Sequence, residues 1–281
     1  MNLRWLAFLL ILAITPALLQ AQNAYYYGGI ARGDSNKKEV ALIFTGGWHS
    51  EGTDYILKVL KEKNAPGSFF LTGNYLRKAA NAEGVRRMIS DGHYVGAHSD
   101  NHPKLVKSFT SSTLISKTDY FRDLDKNFAE LAKFGLKKSD AVYYIPPYET
   151  YNTTIAQWTT DYGLILFKQT DGTRTNGDYT DPSMSTYYSS DRIMSYVWEC
   201  EAKDSKGLNG HMMLIHLGVG AKRTDKFYYK LGDLIDQLRQ KGYQLNKVDD
   251  HLNAHSATQA STPAPAAPVD SKPADPEPEK V

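Results

Sequence analysis

Two histidines stand four apart in the stretch His98-Ser99-Asp100-Asn101-His102-Pro103. One helical turn or a tight loop can aim imidazoles at that spacing at a single divalent ion, because a neutral ring nitrogen is a good zinc ligand. No Glu follows the first of them, so the His-Glu-x-x-His arrangement of metallopeptidases is absent. A third imidazole, His216, ends the apolar run Met213-Leu214-Ile215, where burial beside a carboxylate would tune it as a general acid. Pro146 and Pro147 stiffen the segment that presents Tyr148 and Glu149. Glu149 reads equally as a functional carboxylate and as a favourable charge before a helix starting near Asn152. Cys200 is the one cysteine, which excludes an intramolecular disulfide and a Cys-based zinc cluster, so any metal must be held by His and carboxylates.

The elements that must position these groups occupy most of the 281 residues, of which 41% are hydrophobic and 23% charged, an ordinary globular composition. The 33 basic and 31 acidic residues balance to +2, without the basic surface of a nucleic-acid binder. Arg4 followed by an apolar run to Leu19 and the small Ala21 predicts a secretory signal peptide over residues 1–21. Export to the periplasm or the outside of the cell follows, with no membrane span after cleavage. Six of the twelve prolines fall after Ala254, which predicts a disordered Pro/Ala-rich tail over residues 254–281. One domain is left, over residues 22–253.

Within that domain, short apolar runs at residues 39–44, 68–71, 93–97, 141–145, 164–167, 211–215 and 243–245 read as strands buried on both faces. Helical periodicity lies between them: a helix capped by Thr53, another ending at Ile89, a long one over 112–134 closed by Gly135, and one carrying Leu231, Leu234, Ile235 and Leu238. Seven strands alternating with helices predict an α/β fold, either a doubly wound sheet or a barrel, with its active face at the strand C-termini. His98, Tyr148, Glu149 and His216 all follow strands and meet on that face.

Three segments carry a family resemblance. His98-Ser99-x-x-His102-Pro103, Ile145-Pro146-Pro147-Tyr148 with Asn152, and Leu214-Ile215-His216 resemble, in order and spacing, the motifs of the polysaccharide deacetylases, the NodB-homology carbohydrate esterases. The resemblance spans roughly residues 39–248. It implies a distorted (β/α)7 barrel and removal of acetyl groups from an N- or O-acetylated glycan, with zinc or a similar divalent ion on His98 and His102. It also implies His216 as the acid that protonates the leaving group, Leu214 lining the acetyl pocket, and Pro147 and Tyr148 as a wall of the substrate cleft.

The first motif of that family departs. Where two aspartates, one the base and one a metal ligand, should follow the first strand, the chain reads Thr45-Gly46, and Ile145 replaces the Arg that orients the base. Neither Thr nor Gly can do a carboxylate's work. Two His and one Glu make a populated zinc set, so Glu149 is expected as third ligand or as base. Glu51, His49 and Asp100 are the other candidates on nearby loops. Trp48 is expected to stack on sugar with Tyr148, Tyr179, Tyr187 and Tyr188, and Asp171 or Asp178 to orient His216. The expected function is an exported, metal-dependent glycan deacetylase with a remodelled site; the alternative is an inactive glycan-binding protein on the same fold.

Overall fold

The computed structural model describes residues 23–252, so the expected signal peptide and tail lie outside the described residues. All seven expected strands form: β3 Glu39–Gly46, β4 Ser68–Leu71, β5 Tyr94–Ala97, β6 Tyr143–Tyr144, β7 Ile165–Leu166, β8 His211–His216 and β9 Gln244–Asn246. They make one parallel sheet in the order β7-β6-β5-β4-β3-β8, with β9 beside the start of β3. Two further strands, β1 Ala24–Tyr26 and β2 Gly29–Arg32, form a hairpin that the sequence reading did not anticipate. The hairpin helps close the curl, because Lys168 N–H donates to Ile30 O (2.9 Å) and Thr170 Oγ1 to Ala31 O (2.8 Å), while Thr170 N–H donates to Met212 O (2.9 Å) on β8. The result is the distorted α/β barrel that the resemblance implies.

Strand alternation sorts the side chains into two layers. Ala41, Ile43, Phe70, Tyr94, Tyr143, Ile145, Phe167, Met212 and Leu214 fill the barrel interior. Val40, Leu42, Phe44, Phe69, Leu71, Val95, Met213 and Ile215 point outward to the helices. The next inward positions, two residues beyond Ile43, Gly96 and Leu214, are Thr45, His98 and His216, at the barrel mouth.

The helices are α1 Thr53–Glu62, α2 Gly73–Leu76, α3 Ala82–Ser90, α4 Lys117–Ala132, α5 Thr153–Asp161, α6 Ser190–Lys203, α7 Leu231–Gln240 and α8 Val248–Leu252. Thr53 is the first residue of α1 and not its cap; its hydroxyl pairs with Tyr75 OH at 2.8 Å. Helix α4 begins later than the periodicity suggests, because Ser116 caps it by accepting from Asp119 N–H. Asn152 caps α5 as expected, accepting from Ile155 N–H at 2.9 Å, and Gly135 takes the expected left-handed conformation (φ 84°) after α4.

Candidate functional site

His98 leaves β5 fully buried, and its Nδ1 lies 2.8 Å from Ile145 O. A carbonyl only accepts, so Nδ1 carries the proton and Nε2 keeps its lone pair. Burial pushes His98 down to about 4, the Ile145 hydrogen bond opposing and nearby His216 adding to the fall. Burial, then His98 and His216, hold His102 well below the ordinary histidine range. Both rings are therefore neutral at pH 7, with centroids 5.0 Å apart. A tight loop creates this approach: Ser99 (φ 67°) and His102 (φ 55°) are both left-handed, and His102 N–H donates to Ser99 Oγ at 2.9 Å.

The Pro146-Pro147 turn carries a second pair of left-handed residues, Tyr148 (φ 58°) and Glu149 (φ 50°). Four non-glycine residues in this region, at an order of 1–3 kcal/mol each, store strain of the kind that gathers at binding and catalytic sites. The turn sets Tyr148 against His102, ring centroids 4.6 Å apart. Burial raises the Glu149 carboxyl to about 7, with His216 and Lys168 drawing it down and Asp178 and Asp171 pushing it up. Glu149 thus sits within the electrostatic reach of His216, which a helix-start role alone would not require.

His216 is gripped by Asp178, whose Oδ1 lies 2.5 Å from Nδ1 and whose Oδ2 accepts the His216 backbone N–H at 2.9 Å. Burial alone would lower His216, but Asp178 and then Glu149 outweigh it and raise the ring above its ordinary value. Asp178 comes from the one-turn 3-10 helix Thr175–Tyr179 in the long loop after β7. Asp171 is not its equivalent, because both its carboxylate oxygens take Lys168 Nζ at 2.6 Å.

The expected three-ligand metal centre does not form from the side chains present. Among the described residues, no group of three or more His, Cys, Asp or Glu side chains stands where one ion could be held. Glu149 is therefore not grouped with His98 and His102; the charged groups around it are His216, Lys168, Asp178 and Asp171. The reserve candidates are engaged elsewhere. Glu51 accepts from Val219 N–H, Gly220 N–H and Lys226 Nζ, pinning the loop after β3 to the loop after β8. Asp100 is buried in an ion pair with Arg77, and exposed His49 lies against Gly220. At the mouth itself stand Thr45, whose buried hydroxyl has no hydrogen-bond partner among the described residues, and Gly46. The donor set is two imidazoles, which does not fit the family's ion.

Of the expected substrate contacts, Trp48 is 66% exposed on the pinned loop, and its carbonyl takes a hydrogen bond from Lys78 Nζ. Tyr179 lies edge-on to His216, 5.6 Å between centroids. Pro147 and Leu214 are buried, Leu214 in the interior layer directly below His216. Tyr187 and Tyr188 have other work: Arg223 stacks on the first, while the second packs on Tyr196. Sequence reasoning missed two contributors. Asn127 on α4 accepts the His98 N–H at 3.0 Å and donates to Leu71 O, and Lys168 lies buried beside Tyr26 and Phe109. A lysine directly after an apolar strand was the available signal for Lys168.

Residues 32–166 match the family model described as polysaccharide deacetylase. An uncharacterized 30.6 kDa protein of Geobacillus stearothermophilus is 28% identical over 225 residues, 80% of this chain and 74% of that one. The peptidoglycan-N-acetylmuramic acid deacetylase PdaA of Bacillus subtilis is 25% identical over 234 residues, 83% of this chain and 77% of that one. Among solved structures, a family 4 carbohydrate esterase from Bacillus anthracis superposes with a TM-score of 0.59 at 25% identity, covering 81% of this chain and 88% of the other. Barrel, motif order and these likenesses agree: over residues 32–166 the chain matches the polysaccharide deacetylase family.

Proposed function

We propose that this chain removes acetyl groups from an acetylated glycan, with Glu149 as base and the Asp178–His216 pair as acid. The observation that carries the reading is the paired tuning at the mouth: a carboxyl raised to about 7 beside an imidazole that a buried carboxylate holds in one tautomer. A base poised near the working pH and an acid held protonated by a carboxylate are what hydrolysis of an acetyl group needs. Ionised Glu149 takes a proton from a water whose oxygen forms the new bond to the acetyl carbon. The bond to the sugar nitrogen or oxygen then breaks, and His216 Nε2–H gives that atom its proton, leaving acetate. Asp178 holds the ring in that tautomer throughout. Trp48 and Tyr148 offer aromatic faces to the sugar. Named deacetylases of peptidoglycan among the relatives support an acetylated cell-wall glycan as substrate. Export, expected from residues 1–21, belongs to the same proposal, since such a glycan lies outside the membrane.

A second reading has its own support: Thr45 and Gly46 offer no carboxylate at the mouth, so the cleft would hold the glycan without turnover. Incubating the full chain with N-acetylated chitooligosaccharides and with peptidoglycan, and assaying acetate, separates the two. Acetate release that disappears in His216→Ala supports hydrolysis. Glycan retention without acetate supports capture.

A further inference from the structure

We infer that this site is built to work without a divalent ion, because Leu71, Tyr75 and Leu217 fill the space that a side chain at position 46 would need. A Cβ added to Gly46 would lie 2.8 Å from Leu71 Cδ2, 2.9 Å from Tyr75 Cδ2 and 3.0 Å from Leu217 Cδ1. Carbon atoms ordinarily rest 3.5–4.0 Å apart, so all three contacts are repulsive. The leucine tips can turn aside, but the tyrosine ring cannot. Its hydroxyl is tied to Thr53 Oγ1 at 2.8 Å, and the Tyr75 backbone is held too, its N–H donating to Thr72 Oγ1 at 3.0 Å and its carbonyl accepting from Asn81 Nδ2.

Direction reinforces the block. Val40, Leu42 and Phe44 on β3 point out to the helices, and position 46 continues that set, as its three apolar neighbours from the outer layer show. A carboxylate at 46 would enter an apolar pocket unpaired, which disfavours its charged form. The other mouth position of β3, Thr45, faces His216 in register on β8 and supplies only a hydroxyl. What remains is His98, whose Nδ1 donates to Ile145 O and so leaves Nε2 a lone pair suited to accept an N–H or O–H of a sugar.

This inference does not rest on the acetyl-removal reading, because metal retention is read without substrate. Zinc chloride is titrated calorimetrically into the full chain, wild type and Gly46→Asp, and bound zinc is counted after dialysis; Gly46→Ala is melted alongside. The wild type should retain no stoichiometric zinc, and Gly46→Asp should bind zinc no more than about twofold tighter than wild type, where a true added ligand gains on the order of 100-fold or more. Gly46→Ala should melt roughly 2–10 °C lower from overpacking, a result available even if the Asp variant does not fold. One equivalent of zinc retained by the wild type, a gain of about 100-fold in Gly46→Asp, or an unchanged melting point in Gly46→Ala would overturn it.

Discussion

Asp178 holds His216 at two points, 2.5 Å to ring Nδ1 and 2.9 Å to the backbone N–H, so one buried carboxylate fixes both the tautomer and the place of the imidazole. The ring's raised pKa follows from this partner, with Glu149 adding to it. A group raised in the folded state contributes stability that is complete below its unfolded value near 6.5 and is lost as pH rises through the folded value. Asp178→Asn should lower the His216 pKa, read by NMR titration of the ring, and cut acetate release by about 10²–10⁴ with little loss of glycan binding. An unchanged titration would show that Asp178 does not set the ring's charge.

Glu149 gives a linkage of the same sign. Its carboxyl is raised from 4.5 to about 7 by burial, so the unfolded chain gives up this proton first, and stability falls as pH climbs between those values. Glu149→Gln should therefore leave stability at pH 4 unchanged and raise it at pH 8 by about 1–3 kcal/mol, measured by denaturant melts. A variant that loses stability at pH 8 would mean the carboxylate is well paired in the folded chain.

Seven strands and the three histidines were legible because buried parallel strands are continuous apolar runs, and the residue after such a run lands on the barrel mouth. The β1–β2 hairpin was not, since Tyr25, Tyr26 and Tyr27 lie on a strand and turn with no apolar alternation to mark them. Helix α6 was hidden for a related reason: Ile193 and Val197 are its main buried apolar residues. The roles of the carboxylates depended on partners far away in sequence, Lys226 for Glu51, Arg77 for Asp100 and Lys168 for Asp171. Glu149 turns toward His216 through two consecutive left-handed residues, which a Pro-Pro dipeptide does not specify.

The barrel floor predicts acid lability. His211 at the start of β8 and His251 on α8 are buried, and both His211 ring nitrogens are unpartnered among the described residues. Burial pushes them to about 3 and about 4, with Arg32 and His251 also lowering His211 while Asp204 opposes, and Lys37 lowering His251 while Gly210 O opposes. Histidines depressed in the folded state bind protons first when unfolded, so stability is complete above about 6.5 and falls as pH drops toward 4. His98 and His102 act in the same sense. Melting temperature should decline across that window, and His251→Phe should flatten the decline; a slope identical to wild type would remove His251 from the account.

Trp48 projects from a loop fixed by Glu51 and Lys78, and little of its ring is buried. Trp48→Ala should weaken oligosaccharide binding by about 10-fold, the scale of one lost aromatic contact, while the melting point stays within about 1 °C. Equal affinity in calorimetry would exclude Trp48 from the sugar surface.

The most direct test of acid–base chemistry at Glu149 and His216 is the pH profile of acetate release from an acetylated glycan in the presence of a chelator. The account predicts release that the chelator does not diminish, rising with pH as Glu149 ionises around 7 and falling as His216 gives up its proton at its raised value, with Glu149→Gln at least about 100-fold slower across the range. Release abolished by the chelator, or a Glu149→Gln variant as fast as wild type, would contradict it.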